Sequence, residues 1–172
     1  MTSERFPYSK QQFAVNLLLL MMLLVILPLV LLSFQAMDSL IIIGSIGIVV
    51  VLILVFSISP ILTVHQLSDR DIVLRQGVYF NTRIPLERIT SVRRIDSGPR
   101  RTGTWFKIFG KVLYVTTRRY DLIEIQLRSD QRFGWALWKS ADRVVFDTLD
   151  NGRLLRAMEE QGVTLSNPAL RS

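Results

Sequence analysis

The sequence predicts an α+β membrane protein: a two-helix transmembrane hairpin, then a small antiparallel β-barrel or sandwich closed by a C-terminal helix. Three observations predict it. Two long stretches, Phe13 to Phe34 and Leu40 to Ser59, carry no charge. Beyond Pro60, apolar residues alternate with polar ones at the period of a half-buried strand. Near the end the spacing lengthens to that of a helix.

Residues 1–12 read as a short polar tail and 13–59 as the membrane hairpin. A hydrocarbon layer about 30 Å thick is spanned by roughly 20 helical residues. Both runs have that length, at about 13–34 and 40–59, and only Asn16, Pro28 and Ser33 stand out in the first. Inside lipid each backbone polar group must be paired within its own segment, so such runs form helices. Two other readings compete. A cleaved signal peptide would have a shorter apolar core of about 7–15 residues and a small-x-small site, but Phe34, Gln35 and Met37 crowd around Ala36. A buried soluble hairpin would need a second layer to cover two helices that are apolar all round. Gly44, Ser45, Gly47 and Asn16 suit close packing between the two helices. No acid or base lies within either run, which disfavours ion transport.

Charge sets the orientation. Arg5 and Lys10 precede the first run, Asp38 alone lies between the runs, and 19 Lys and Arg against 12 Asp and Glu follow residue 59. Basic loops stay inside, so both termini and the soluble domain are expected in the cytoplasm at the inner (plasma) membrane, with the Gln35–Ser39 turn outside. The chain has no cysteine, which excludes disulfides and zinc–thiolate sites.

Pro60 marks the expected exit from the membrane, and residues 60–165 suffice for one small domain before a 166–172 tail. Ile61–Leu67, Ile72–Arg75 and Val78–Ile84 read as strands, with Gly77 as a turn and Pro85 as a stop. Ile89–Ile95, Lys111–Thr117, Leu122–Leu127 and Phe133–Trp138 follow, the last three separated by Arg118–Asp121 and Ser129–Gln131. Ile123, Ile125 and Leu127 against Glu124, Gln126 and Arg128 give the cleanest alternation. Ser140 is the expected cap of a helix carrying Val144, Val145, Leu149, Leu155 and Met158 and ending at Gly162. Asp150-Asn151-Gly152 could instead turn a hairpin.

The stretch Ile72-Val73-Leu74-Arg75-Gln76-Gly77-Val78-Tyr79-Phe80, then Ile84-Pro85-Leu86-Glu87-Arg88-Ile89-Thr90-Ser91-Val92, resembles the bacterial pleckstrin-homology (PH-like) domain family of small membrane proteins. Phe106-Lys107-Ile108-Phe109-Gly110 is similar to a later element of that family. The resemblance covers residues 72–110 best, and Trp135, Trp138 and the closing helix depart from it. It implies an antiparallel barrel with a C-terminal helix and a role in binding, and it supplies no catalytic residue.

Chemistry-bearing motifs are sparse. His65 is the single histidine and has no nucleophile motif beside it, so a structural role explains it better than catalysis. The carboxylates Asp69, Asp71, Asp96, Asp121 and Asp130 lie mostly at expected turns, where capping accounts for them better than metal binding. Gly98, Gly103 and Gly110 lack the spacing of a phosphate loop. No enzyme activity and no cofactor is expected.

The richest segment interleaves cations with aromatics: Arg93, Arg94, Arg100, Arg101, Trp105, Phe106, Lys107, Phe109, Lys111, Arg118 and Arg119. Beside a membrane this suits anionic headgroups, at about 1 kcal/mol per basic side chain near the surface. Nucleic acid would use the same residue types but is the less favoured partner. Alternatively, the arginines reflect the positive-inside bias and the aromatics belong to the core. The sequence therefore leads to a membrane-anchored binding or scaffolding module, an accessory or assembly factor for other membrane proteins. A sensor of anionic lipid headgroups is the alternative, and an uncharacterised enzyme a distant third.

Overall fold

The computed structural model describes residues 3–33, 38–107, 109–133 and 139–166, which form two compact units. One is helical, comprising residues 10–63 and 77–79; the other is β-rich and holds the rest.

The helical unit contains α1 (Gln11–Ser33) and α2 (Ser39–Leu62), both long and apolar enough to cross a membrane. Twenty-three residues at about 1.5 Å each make α1 about 35 Å long. Asp38 starts α2 by accepting a hydrogen bond from the Leu40 amide at 3.0 Å. The helix runs past the expected exit at Pro60, so the strand expected from Ile61 begins only at His65. Proline has no amide for the carbonyl four residues back, and its ring crowds that carbonyl. The chain accommodates it with a wide π turn over Leu54–Ile58 just before it. Lys10 then donates from Nζ to the Pro60 carbonyl at 2.8 Å and to that of Thr63, placing a cation at the helix C-terminus. Apolar side chains stand exposed on both helices, among them Leu18, Leu29, Ile43 and Ile48, while few are buried.

In the β unit, the first sheet is β1 (Glu4–Phe6), β2 (His65–Leu67), β3 (Asp71–Gln76) and β4 (Phe80–Pro85), antiparallel in that order. Residues 4–6 are thus an edge strand, where the sequence predicted a tail. Glu4 lies opposite Leu67 and Phe6 opposite His65. Behind them Tyr8 is buried, and Leu149 donates its amide to the Pro7 carbonyl at 2.8 Å.

The second sheet holds β5 (Ile89–Ser97), β6 (Gly103–Lys107), β7 (Val112–Thr116), β8 (Tyr120–Phe133) and β9 (Lys139–Phe146), in the order β5-β8-β9-β7-β6. The expected break at Ser129–Gln131 lies inside β8, whose pairing with β9 shifts register between Gln126 and Gln131. β7 and β9 run parallel, so the all-antiparallel expectation is corrected. The expected closing helix is present and includes Leu155 and Met158, but Ser140 is a strand residue rather than its cap, and the alternative hairpin at Asp150-Asn151-Gly152 does not form. Val144 and Val145 belong to β9, and α3 (Asn151–Glu160) starts later, with Asp150 accepting from the Arg153 amide at 2.9 Å. Leu154, Ala157 and Met158 of α3 are buried.

The alternation on β8 assigns its faces. Ile123, Ile125 and Leu127 are buried on the side shared with Val92, Val144 and Phe146. His65 on β2 meets Phe146 on β9 edge to face, 5.6 Å between centroids, where the two sheets approach. Within the Gln35–Ser39 turn, residues 35–37 lie outside the described residues. So do Ile108, the part of the predicted Phe133–Trp138 strand that holds Trp135 and Trp138, and the tail beyond Ser166.

Candidate functional site

The cation–aromatic segment is one stretch in sequence but occupies two ends of the second sheet. β5 and β7 end where β6 and β8 begin, so Arg100 and Arg101 of the β5–β6 loop share one end with Arg118 and Arg119 of the β7–β8 turn. The Gly98 amide ties the two together by donating to the Arg119 carbonyl at 2.7 Å. Lys107, Phe109 and Lys111 lie at the opposite end, in the β6–β7 hairpin, about 15 Å away for a five-residue strand.

Acids neutralise several of the predicted cations. Arg93 on β5 grips Glu124 on β8 with two hydrogen bonds, at 2.9 and 3.0 Å. Arg94 reaches Asp121 at 2.6 Å, and Arg118 reaches the same carboxylate at 3.0 Å. Burial works against ionisation of Asp121, but contacts from Asn151 and Arg94 and the charges of Arg118 and Arg94 outweigh it, holding the carboxyl below its ordinary range. Lys111 pairs with Asp130. Arg100, Arg101, Lys107 and Arg119 are exposed and make no ion pair among the described residues.

Trp105 is half-buried and stacks on Tyr114, with centroids 4.3 Å apart and planes 13° from parallel. Tyr114 and Ile95 pack on Val112, Leu122 and Val145, a small apolar cluster on the outer face of the sheet. The β5–β6 loop closes over it so tightly that a Cβ at Gly98 would sit 2.2 Å from Leu122 Cδ1. Trp105 is therefore a packing residue, and its Nε1 donates to the Arg101 carbonyl at 3.2 Å. Trp105→Ala should lower domain stability by about 2 kcal/mol, less than a fully buried tryptophan would, as read from the denaturation midpoint.

His65 is buried beside Tyr8, 4.8 Å between ring centroids, and its Nδ1 accepts the Arg75 amide at 3.2 Å, so the imidazole is a structural group inside the fold. A cleft of about 740 Å³ brings Asp69, Arg70, Asp71, Glu87 and Arg128 together, a mixed-charge surface without a nucleophile–base pair. Among the described residues no three His, Cys, Asp or Glu converge as metal ligands.

One element lay beyond the sequence reading. After α3, the chain returns to the free edge of β5. The Val92 amide donates to the Thr164 carbonyl at 3.0 Å, and the Val92 carbonyl accepts from the Ser166 amide at 2.8 Å, a parallel bridge centred on Leu165. The β-branched pair Val163-Thr164 after the helix-ending Gly162 was the available signal. By the two-residue period, the backbone groups of Arg94 and Asp96 point the same way as those of Val92. Among the described residues those groups have no partner. Compared with family models, with curated proteins and with solved structures, the chain matches none of them.

Proposed function

We propose that this chain is a non-enzymatic module, anchored in a membrane by α1 and α2, whose PH-like β unit binds a protein partner as an accessory or assembly factor. The PH-like reading draws on the residue 72–110 resemblance, the two sheets and the closing helix; the parallel β7–β9 pair departs from it. Anchoring draws on helices whose apolar side chains are largely exposed away from the face on which they pack together. The β1–β2 pairing supports two crossings, since it joins the segment before α1 to the segment after α2 and so keeps both on one side. The scarcity of Lys and Arg between the helices supports the cytoplasm as that side.

The observation that carries the binding role is the edge of β5, which among the described residues is only half filled. An extended segment added there gains main-chain hydrogen bonds at Arg94 and Asp96. Arg100, Arg101 and Arg119 at the same end of the sheet, without an ion pair among the described residues, favour an acidic segment, donated by another membrane protein. Asp96→Pro tests this, because it removes an edge donor while leaving the ladder to β8 in place. The full-length variant should melt within a few degrees of wild type and lose its stoichiometric co-purifying proteins. A photo-crosslinker on Asp96→Cys, the chain's sole thiol, should reach an acid-rich segment of one of them. Unchanged co-purification by Asp96→Pro would sink the reading.

A further inference from the structure

The β6–β7 hairpin holds an aromatic ring out in solvent. Phe109 is 88% exposed, more than any other large apolar side chain among the described residues, including Leu62 at 77% and Leu40 at 72% on the apolar helices. Scattered apolar residues on a surface are ordinary. Here, however, the turn is tied down in a way that keeps the ring outside. Gly110 and Lys111 take φ of +104° and +48°, a left-handed pair that fixes the tight reversal. Arg143 of β9 donates from Nη2 to the Gly110 carbonyl at 2.9 Å, the Asp142 amide donates to the Lys111 carbonyl at 3.1 Å, and the Lys111 side chain pairs with Asp130. Folding the ring back onto the sheet would break these ties. On the adjoining strand Lys107 is exposed and without an ion pair among the described residues. A projecting phenyl ring beside an unpaired ammonium matches the bilayer interface, where rings sit among headgroups and lysines reach lipid phosphate.

We propose that this hairpin tip is a second membrane contact: Phe109 enters the headgroup–acyl boundary of the bilayer, and Lys107 meets an anionic headgroup there. The proposal rests on the anchoring reading, and the experiment separates the two. Because the chain has no native cysteine, single thiols at Leu19, Phe109 and Leu149 can each carry an environment-sensitive fluorophore. The full-length protein is reconstituted in phosphatidylcholine–phosphatidylglycerol vesicles that contain spin-labelled lipids. Leu19→Cys should be quenched most by deep spin labels and Phe109→Cys by shallow ones, while exposed Leu149→Cys reports no lipid contact. A probe on Lys107→Cys should lose quenching several-fold when Phe109→Ser is added, which tests the native ring itself. Quenching at Leu19 without quenching at Phe109 overturns the tip contact and leaves the anchor standing. Absence of quenching at both overturns both. Shielding of Phe109→Cys from an aqueous quencher, without lipid quenching, reassigns the tip to a protein contact and overturns the lipid proposal.

Discussion

Ile125→Asp should unfold the β unit under conditions where the wild type is stable. Ile125 is fully buried at the middle of β8, with Val92 of β5 opposite on one side and Val144 of β9 on the other. A carboxylate there gains no partner and loses its water, a cost on the order of 4 kcal/mol or more. Total stabilities of single domains are typically about 5–15 kcal/mol, so this one change removes a large share. Ile125→Val, which keeps the phase and loses one methylene, should cost about 1 kcal/mol. Denaturant titration of the full-length protein in detergent, followed by far-ultraviolet circular dichroism, reads both. A wild-type midpoint for the aspartate variant would mean that the β8 faces are assigned the wrong way round.

The second large effect sits at Asp147, which is fully buried just after β9. Its two oxygens accept the Thr117 amide at 2.5 Å and the Thr117 hydroxyl at 2.6 Å, joining the ends of β7 and β9. Asp147→Ala leaves both Thr117 donors buried and unpaired and should cost about 2–4 kcal/mol. Asp147→Asn keeps an acceptor for the amide and should cost about 1 kcal/mol. Burial pushes the Asp147 carboxyl above the ordinary aspartate value, and the Thr117 hydrogen bonds and the Arg118 charge offset this only in part. The folded state therefore holds this proton to higher pH than the unfolded state does. Stability falls as pH rises through the folded value, and it recovers as pH drops toward the ordinary one. Between about pH 7 and pH 4, the wild type should gain on Asp147→Asn as the medium is acidified. A gap between the two that is constant across this range would rule out a raised value.

How much of this was legible depended on where the signal lay. The apolar runs needed only length and absence of charge, so both helices were visible, as were the alternating faces of β8. Ser129-Asp130-Gln131 looked like a turn, yet it lies within β8, because a register shift against β9 carries the polar residues along the sheet. Val144 and Val145 fit a helix stripe as well as a strand; pairing with β7, remote in sequence, decided for the strand. Asp150, which from sequence could equally turn a hairpin, is the helix cap. The cation–aromatic segment was recognised, but its division between two ends of one sheet follows from strand order, which local pattern does not encode. The acids that neutralise Arg93, Arg94 and Arg118, Glu124 and Asp121, come from β8.

The pairing of β1 with β2 also has a consequence in time. Phe6 meets His65, so the first strand leaves the ribosome 59 residues ahead of its partner. At about 5–20 residues per second, it waits about 3–12 s with its hydrogen-bonding edge unfilled. Both helices must emerge during that interval before β1 and β2 can pair. Synthesis of both helices thus precedes closure of this sheet edge, and a nascent chain that stalls within the second helix would carry a loose N-terminal strand open to other edges.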